Sequence, residues 1–193
     1  DQHGLAYVRG NNQQFRIILA NDGGIYSTTF KTDPGTIQGD WSVDAIGKNS
    51  TQFYGATKQN GQDNYLAGAQ DNGSWISQGN NTDKSKTYNF VFGGDGYEAL
   101  WHYNKPGDFL VTSQYGRVGR YKQNVFLGNA DIADSGNSGV SPFYSKISNA
   151  DNNPDAVFTI SRNGVWRSID FGDNWALTPI IASFAPNNNS ALN

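Results

Sequence analysis

Four segments of this chain repeat one another, and that repeat limits the fold more than any other feature. They are Ile17-Ile18-Leu19-Ala20-Asn21-Asp22-Gly23-Gly24-Ile25-Tyr26, Tyr65-Leu66-Ala67-Gly68-Ala69-Gln70-Asp71-Asn72-Gly73-Ser74-Trp75, Phe109-Leu110-Val111-Thr112-Ser113-Gln114-Tyr115-Gly116-Arg117-Val118 and Ala156-Val157-Phe158-Thr159-Ile160-Ser161-Arg162-Asn163-Gly164-Val165-Trp166. Each is an apolar run, a polar turn with glycine, and a second run. The glycines Gly24, Gly73, Gly116 and Gly164 stand 49, 43 and 48 residues apart. Upstream of each lies a short aromatic-containing run, at 3–8, 52–58, 97–103 and 143–149, and a fourth strand is expected to begin at Trp41, Tyr88, Tyr121 and Trp175. The unit reads strand A, turn, strand B, glycine turn, strand C, strand D, with no sustained helical periodicity. Strand units at this period predict an all-β chain built as the four-stranded antiparallel blades of a β-propeller.

The expected blades are 1–41, 42–92, 93–127 and 140–185. An Asp-, Gly- and Ser-rich stretch at 128–141 reads as a solvated loop insertion, 80–87 as a polar C–D loop, and the Asn-rich tail 186–193 as frayed. Four blades alone close only a narrow ring, so the blades are expected to belong to a larger propeller completed by further sequence or partner chains. The absence of any Met, position 1 included, suggests a start after a processing cut or inside a longer polypeptide.

Composition excludes several function classes. Fourteen Lys and Arg against 17 Asp and Glu give a net charge of -3 without a basic stripe, which argues against a nucleic-acid partner. No Cys means no disulfide and no thiolate metal site. Apolar runs are too short to insert in a bilayer. No phosphate loop, dinucleotide fingerprint or serine nucleophile elbow is present.

In the fourth repeat, strand C runs into Ser168-Ile169-Asp170-Phe171-Gly172-Asp173-Asn174-Trp175. This matches Ser-x-Asp-x-Gly-x-x-Trp, the Asp box. Ser168 and Asp170 are suited to bonding turn amides, Gly172 to positive φ, and Trp175 to packing the hairpin, so Asp170 reads as turn closure rather than catalysis. The first repeat holds a broken version, with Ser27 and a longer loop ending at Gly39-Asp40-Trp41.

On these residues the chain resembles the Asp-box (BNR-repeat) β-propellers. Asn21-Asp22-Gly23-Gly24-Ile25-Tyr26, Gln52-Phe53-Tyr54, Gln70-Asp71-Asn72-Gly73 and Gly93-Gly94-Asp95-Gly96 look like the xyloglucanase/sortilin-like branch, in particular large secreted bacterial proteins. The resemblance implies a secreted or cell-surface location and more blades than four. It does not imply an activity, because such folds host enzymes, receptors and scaffolds.

If the B–C turns and the entries to strand A share one face, that face gathers the candidate ligand-binding residues His3, Gln52, Tyr54, Gln70, Tyr97, Tyr115, Arg117 and Arg162. Tyr54, Tyr97 and Tyr115 are the candidates for stacking on sugar rings, with inter-blade packing the preferred reading for aromatics in general. A glycosidase needs two carboxylates, and the pool here is Asp22, Asp71, Asp95 and Glu98. Asn-Asp-Gly-Gly and Gln-Asp-Asn-Gly are good turn sequences in their own right, so structure outweighs catalysis for Asp22 and Asp71. Phe15-Arg16-Ile17-Ile18 resembles a sialidase motif but lacks its proline and is taken as a chance match. No metal site is expected. His3 and His102 fall in different blades, and Asp131-Ile132-Ala133-Asp134-Ser135-Gly136-Asn137 has oxygen ligands suited to Ca²⁺ only in part, lacking a bidentate Glu.

The sequence therefore favours a non-catalytic extracellular binding or interaction module with a glycan or protein ligand at the face loops. The alternatives are a xyloglucanase-type glycoside hydrolase acting on a β-glucan, and structural blades within a large cell-surface assembly.

Overall fold

A computed structural model describes residues 2–21, 24–43, 51–78, 87–150 and 152–180. The chain divides into two compact units, Asp1–Thr51 and Gln52–Asn193. Asp22, most of the expected polar C–D loop and the whole expected tail lie outside the described residues.

The first unit is one antiparallel sheet in the order β1 (Gln2–Arg9), β2 (Phe15–Asn21), β3 (Gly24–Thr28), β4 (Trp41–Val43). The loop before β4 carries a short 3₁₀ turn, Gln38–Asp40. Asp40 is buried there and closes the loop by accepting from the Lys31 ammonium and, at 3.1 Å, from the Gly35 N–H. The Lys31 hydrogen bond, against the pull of burial, holds its carboxyl below the usual carboxylate range.

The second unit holds three blades. Their strands are β5 (Phe53–Lys58), β6 (Tyr65–Ala69), β7 (Gly73–Gln78), β8 (Thr87–Phe92), then β9 (Ala99–Trp101), β10 (Phe109–Ser113), β11 (Arg117–Lys122), β12 (Val125–Asn129), then β13 (Ile147–Ala150), β14 (Asn153–Ser161), β15 (Gly164–Ser168), β16 (Ala176–Pro179). Every blade is a four-stranded antiparallel meander in chain order. No helix among the described residues is long and apolar enough to cross a membrane.

The middle blade is covered on both faces, and its sequence shows why. All five residues of β10 are buried, and successive side chains point to opposite sides. Phe109 and Val111 pack with Leu66, Ile76, Trp101 and Tyr121 toward the preceding blade. Leu110 packs with Val118, Val157, Trp166 and Phe171 toward the following one. Burying a side chain of this size is worth about 1.5–3 kcal/mol, so these two seams hold the three blades together.

The fourth strand of this blade starts later than expected. Tyr121 belongs to β11, and its ring stacks on Phe109 at 4.3 Å between centroids. The turn follows at Gln123 and Asn124, both in the left-handed region with φ of 50° and 64°. No glycine marks it. The turn is held instead from outside, by Gln123 N–H donating to Asp108 Oδ1 and Asn124 N–H donating to the Gly107 carbonyl. The expected A strands at 97–103 and 143–149 also shorten, to β9 and β13.

One close approach sets up the site. Residues 94–98 cross the preceding blade so closely that a Cβ on Gly68 would meet the Tyr97 backbone at 2.4 Å, and one on Gly96 would meet the Gly73 carbonyl at 2.3 Å. Gly96 N–H donates to the Ala69 carbonyl there, at 3.0 Å. Glycine in β6 is thus a packing requirement, since any side chain would push the crossing segment away.

Candidate functional site: the B–C end of the three-blade unit

The segments that enter β5, β9 and β13 bring three tyrosines together. Tyr97 is the hub. Its ring meets Tyr144 at 4.6 Å, Tyr54 at 5.5 Å and Phe143 at 5.8 Å, all near edge-to-face, and Phe143 in turn meets Tyr115 at 5.4 Å. Tyr97 is 1% exposed, so its ring is a packing element and not a stacking surface for a ligand. Tyr54 is 44% exposed and keeps an open face.

The backbone explains why Tyr54 is presented. β5 pairs Phe53 with Ala69 and Gly55 with Gly68, which leaves Tyr54 as the extra residue of a β-bulge. A bulge re-aims the side chain of the residue it leaves unpaired. In the first unit His3 holds the same place, because β1 pairs Gln2 with Asn21 and Gly4 with Ala20.

Glu98 lies beside this cluster. Its Oε1 accepts from Tyr144 Oη at 2.9 Å and from Lys146 Nζ at 3.0 Å, while the Lys146 ammonium sits 4.0 Å from the centre of the Tyr144 ring. Burial lowers the affinity of Lys146 for its proton, but Tyr144 and Glu98 outweigh it and push the ammonium's pKa up. Asp71, exposed in the β6–β7 turn with φ of 62°, donates its backbone N–H to Asp95 Oδ1 at 3.0 Å. Asp95 N–H donates to Gln114 Oε1 at 2.9 Å, linking the turns of two blades. Burial first, and then the charge of Asp95 among others, raises the pKa of the Tyr97 phenol.

Of the residues singled out from sequence, Tyr54, Tyr97, Tyr115, Asp71, Asp95 and Glu98 gather at this end. Gln52 and Gln70 flank it, exposed before β5 and half-buried after β6. Arg117 and Arg162 are exposed at the β10–β11 and β14–β15 turns. Arg117 sits beside Gly136 of the insertion, and Arg162 N–H donates to the Val140 carbonyl at 2.7 Å. Neither joins the tyrosine cluster. Tyr144, Lys146 and Phe143 were missed. The signal for them was positional, since they open the fourth A segment just as Tyr54 and Tyr97 open the second and third.

The insertion is anchored rather than wholly solvated. Ile132 is buried in the seam between the second and third blades of the unit. Asp134 accepts from Ser161 Oγ, from Asn163 Nδ2 at 2.9 Å and from Trp166 Nε1 at 2.8 Å. Both oxygens of this carboxylate are therefore occupied by donors. Among the described residues no three His, Asp or Glu side chains gather as a metal site.

The opposite end carries the A–B and C–D turns. Ser168 Oγ accepts from Gly172 N–H at 2.8 Å, and Asp170 accepts from Asn174 through both its backbone and its side chain. Trp175 Nε1 donates to the Gly172 carbonyl at 3.0 Å. Burial opposes ionisation of Asp170, yet Asn174, Ser168 and the Asp173 backbone outweigh it and hold its pKa down at about 2. The carboxylate closes the turn. Nearby, buried His102 accepts at Nδ1 from the backbone N–H groups of Asn104 and Lys105, so Nε2 carries the proton and donates to Asp155 Oδ1 at 3.0 Å.

No protein-family profile matches the chain, and no curated protein matches it. Among solved structures it is similar to an ancestral GH74 enzyme, with 15% identity and a TM-score of 0.49 over 88% of this chain and 23% of that one. It is also similar to YCF48 from Cyanidioschyzon merolae, with 15% identity and a TM-score of 0.50 over 90% of this chain and 56% of that one. The chain thus spans about a quarter of the first and about half of the second. The second likeness speaks to fold alone. Together with four antiparallel four-stranded sheets, it makes the chain an all-β protein of β-propeller blades.

Proposed function

We propose that this chain is a non-catalytic binding module, a set of Asp-box propeller blades whose B–C end takes a glycan or protein ligand. The observation that carries the reading is the tyrosine cluster with Tyr54 raised on a bulge at its rim. An aromatic side chain displayed by a rigid scaffold binds with little entropy to lose, and the fixed carbonyls and carboxylates around it supply orientation. The carboxylates are tied to structural donors, Glu98 to Tyr144 and Lys146, and Asp95 to the Asp71 backbone. The turn chemistry of Ser168, Asp170, Gly172 and Trp175 supports the Asp-box assignment. With it goes the resemblance to secreted or cell-surface bacterial proteins, with further blades or partner chains beside these.

The test is binding of xyloglucan oligosaccharides and of extracellular protein extracts to the parent chain and to Tyr54→Ala. Loss of binding in Tyr54→Ala, with an unchanged melting curve, is the expected result. Undiminished binding would remove Tyr54 from the site and the reading with it. The grouping of Asp71, Asp95 and Glu98 on one end favours a second reading, a xyloglucanase-type glycoside hydrolase. Release of reducing sugar from a β-glucan with a bell-shaped pH profile, abolished by Glu98→Gln, would establish that reading instead.

A further inference from the structure

A concavity of the three-blade unit lies at the end opposite the tyrosine cluster. It is a groove of about 1000 Å³ between the A–B turn of the first blade and the inner strands of the next two. That is the upper part of the range for small-molecule sites. Its wall from the first blade is the turn Gln59, Asn60, Gly61, Gln62. Its floor and far side include Trp101, Tyr103 and Asn149.

Three features make it a built site and not a gap between loops. First, Gln59 is 7% exposed, and its carbonyl oxygen accepts from Asn64 Nδ2 at 2.9 Å. Its amide nitrogen has no partner among the described residues. Second, Trp101 is 5% exposed and its buried indole N–H has no partner among the described residues. The buried Trp101 donor costs about 1–3 kcal/mol to leave unpaired, whereas the Gln59 amide nitrogen still meets solvent and is open to an acceptor on a ligand. Third, Tyr103 is 61% exposed, with no ring contact among the described residues, yet its backbone is held because Asn60 Nδ2 donates to its carbonyl at 3.2 Å. A large aromatic is thus displayed in the open on a fixed backbone.

The chemistry of the lining selects the ligand. Four of its twelve lining residues are carboxamides, and a carboxamide offers a donor and an acceptor in one plane, the match for vicinal hydroxyls. An exposed tyrosine face suits the apolar face of a pyranose ring. The only charged residues, Lys58 and Asp63, stand 3.9 Å apart and offset one another. Nothing here favours an ionic ligand.

We propose that this groove is a second binding site, taking a neutral oligosaccharide, with Tyr103 as the stacking face and Gln59, Asn60, Gln62 and Asn149 as hydroxyl readers. It is separate from the B–C end and stands whether or not that end binds anything.

The experiment titrates the 193-residue chain with cellohexaose, mannohexaose, laminarihexaose and chitohexaose, with hexagalacturonate as the charged control. Calorimetry gives the affinity, and tryptophan fluorescence reports on Trp101 in the groove. Tyr103→Ala is the main variant, since an exposed ring is removed without unfolding, and Tyr54→Ala is the control for the other end. The expected result is saturable binding of at least one neutral hexasaccharide. It should weaken by about tenfold or more in Tyr103→Ala, the loss expected of one aromatic anchor, and stay unchanged in Tyr54→Ala. Asn60→Ala, which frees the Tyr103 backbone, should weaken it as well. Failure of every neutral hexasaccharide to bind overturns the proposal. So does binding that Tyr54→Ala removes and Tyr103→Ala leaves intact, tighter binding of hexagalacturonate, or a groove that takes only peptide.

Discussion

Replacing Asp134 by alanine should destabilise the three-blade unit by about 3 kcal/mol, and the structure gives the parts. The carboxylate serves Ser161, Asn163 and Trp166. Trp166 is 8% exposed, so its indole N–H would be left buried without an acceptor, at about 1–3 kcal/mol. Hydrogen bonds to a charged group are worth about 1.5–3 kcal/mol, but Ser161 can turn its hydroxyl elsewhere and Asn163 is exposed, so these add only in part. Asp134→Asn keeps the shape and one acceptor and should cost about half as much. In urea unfolding followed by tryptophan fluorescence, a loss of 3 kcal/mol lowers the midpoint by about 1–2 M at unchanged slope. The carboxyl titrates below its ordinary value although burial pushes it up, because the three donors outweigh burial. Its contribution is therefore present above the unfolded pKa and is lost as pH falls through the folded one. The gap between parent and Asp134→Asn should accordingly close in acid. Millimolar calcium should leave the midpoint where it is. A midpoint for Asp134→Ala within about 0.2 M of the parent would refute the argument, since two-tenths of a molar is well under the loss of one such bond.

Two further outcomes follow from the same bookkeeping of polar groups. The folded pKa of about 2 for Asp170, against 3.8 ordinarily, stabilises the fold above the unfolded value and is lost as pH falls from about 4 toward 2. The shift corresponds to at most ~2.5 kcal/mol, which solvent screening at this partly exposed turn cuts to about 1–2 kcal/mol, so Asp170→Asn should show a flatter acid limb in a stability-versus-pH series. Tyr97→Phe removes a buried hydroxyl that has no partner among the described residues, so it should leave stability unchanged or raise it by up to about 1 kcal/mol in thermal unfolding.

Blade count and strand order were legible in the sequence because they depend on local patterns. Apolar runs broken by Gly24, Gly73, Gly116 and Gly164 became the paired B and C strands of four separate sheets. The start of β12 was not legible, because its turn uses Gln123 and Asn124 in left-handed conformation without glycine, held by Asp108 and Gly107 from another turn. The anchoring of the insertion was not legible either, because Asp134 meets donors from the β14–β15 hairpin, some 30 residues on. Tyr103 and Gln59 were equally invisible as site residues, lying in turns of different blades that only tertiary packing turns into one groove.

By itself, then, the sequence determined an all-β chain of repeated four-stranded blades, the glycine turns between B and C, and the hydroxyl-and-carboxylate turn at Ser168 to Trp175. All of these are settled by groups within a few residues of one another. The tertiary structure decided which tyrosine is buried and which displayed. Tyr97 and Tyr54 occupy similar positions in sequence, but residues 94–98 press onto Gly68 while a bulge lifts Tyr54 out of register. Exposure depends on what the neighbouring blade brings to the contact, and a one-residue slip in pairing is enough to send a side chain to the other face.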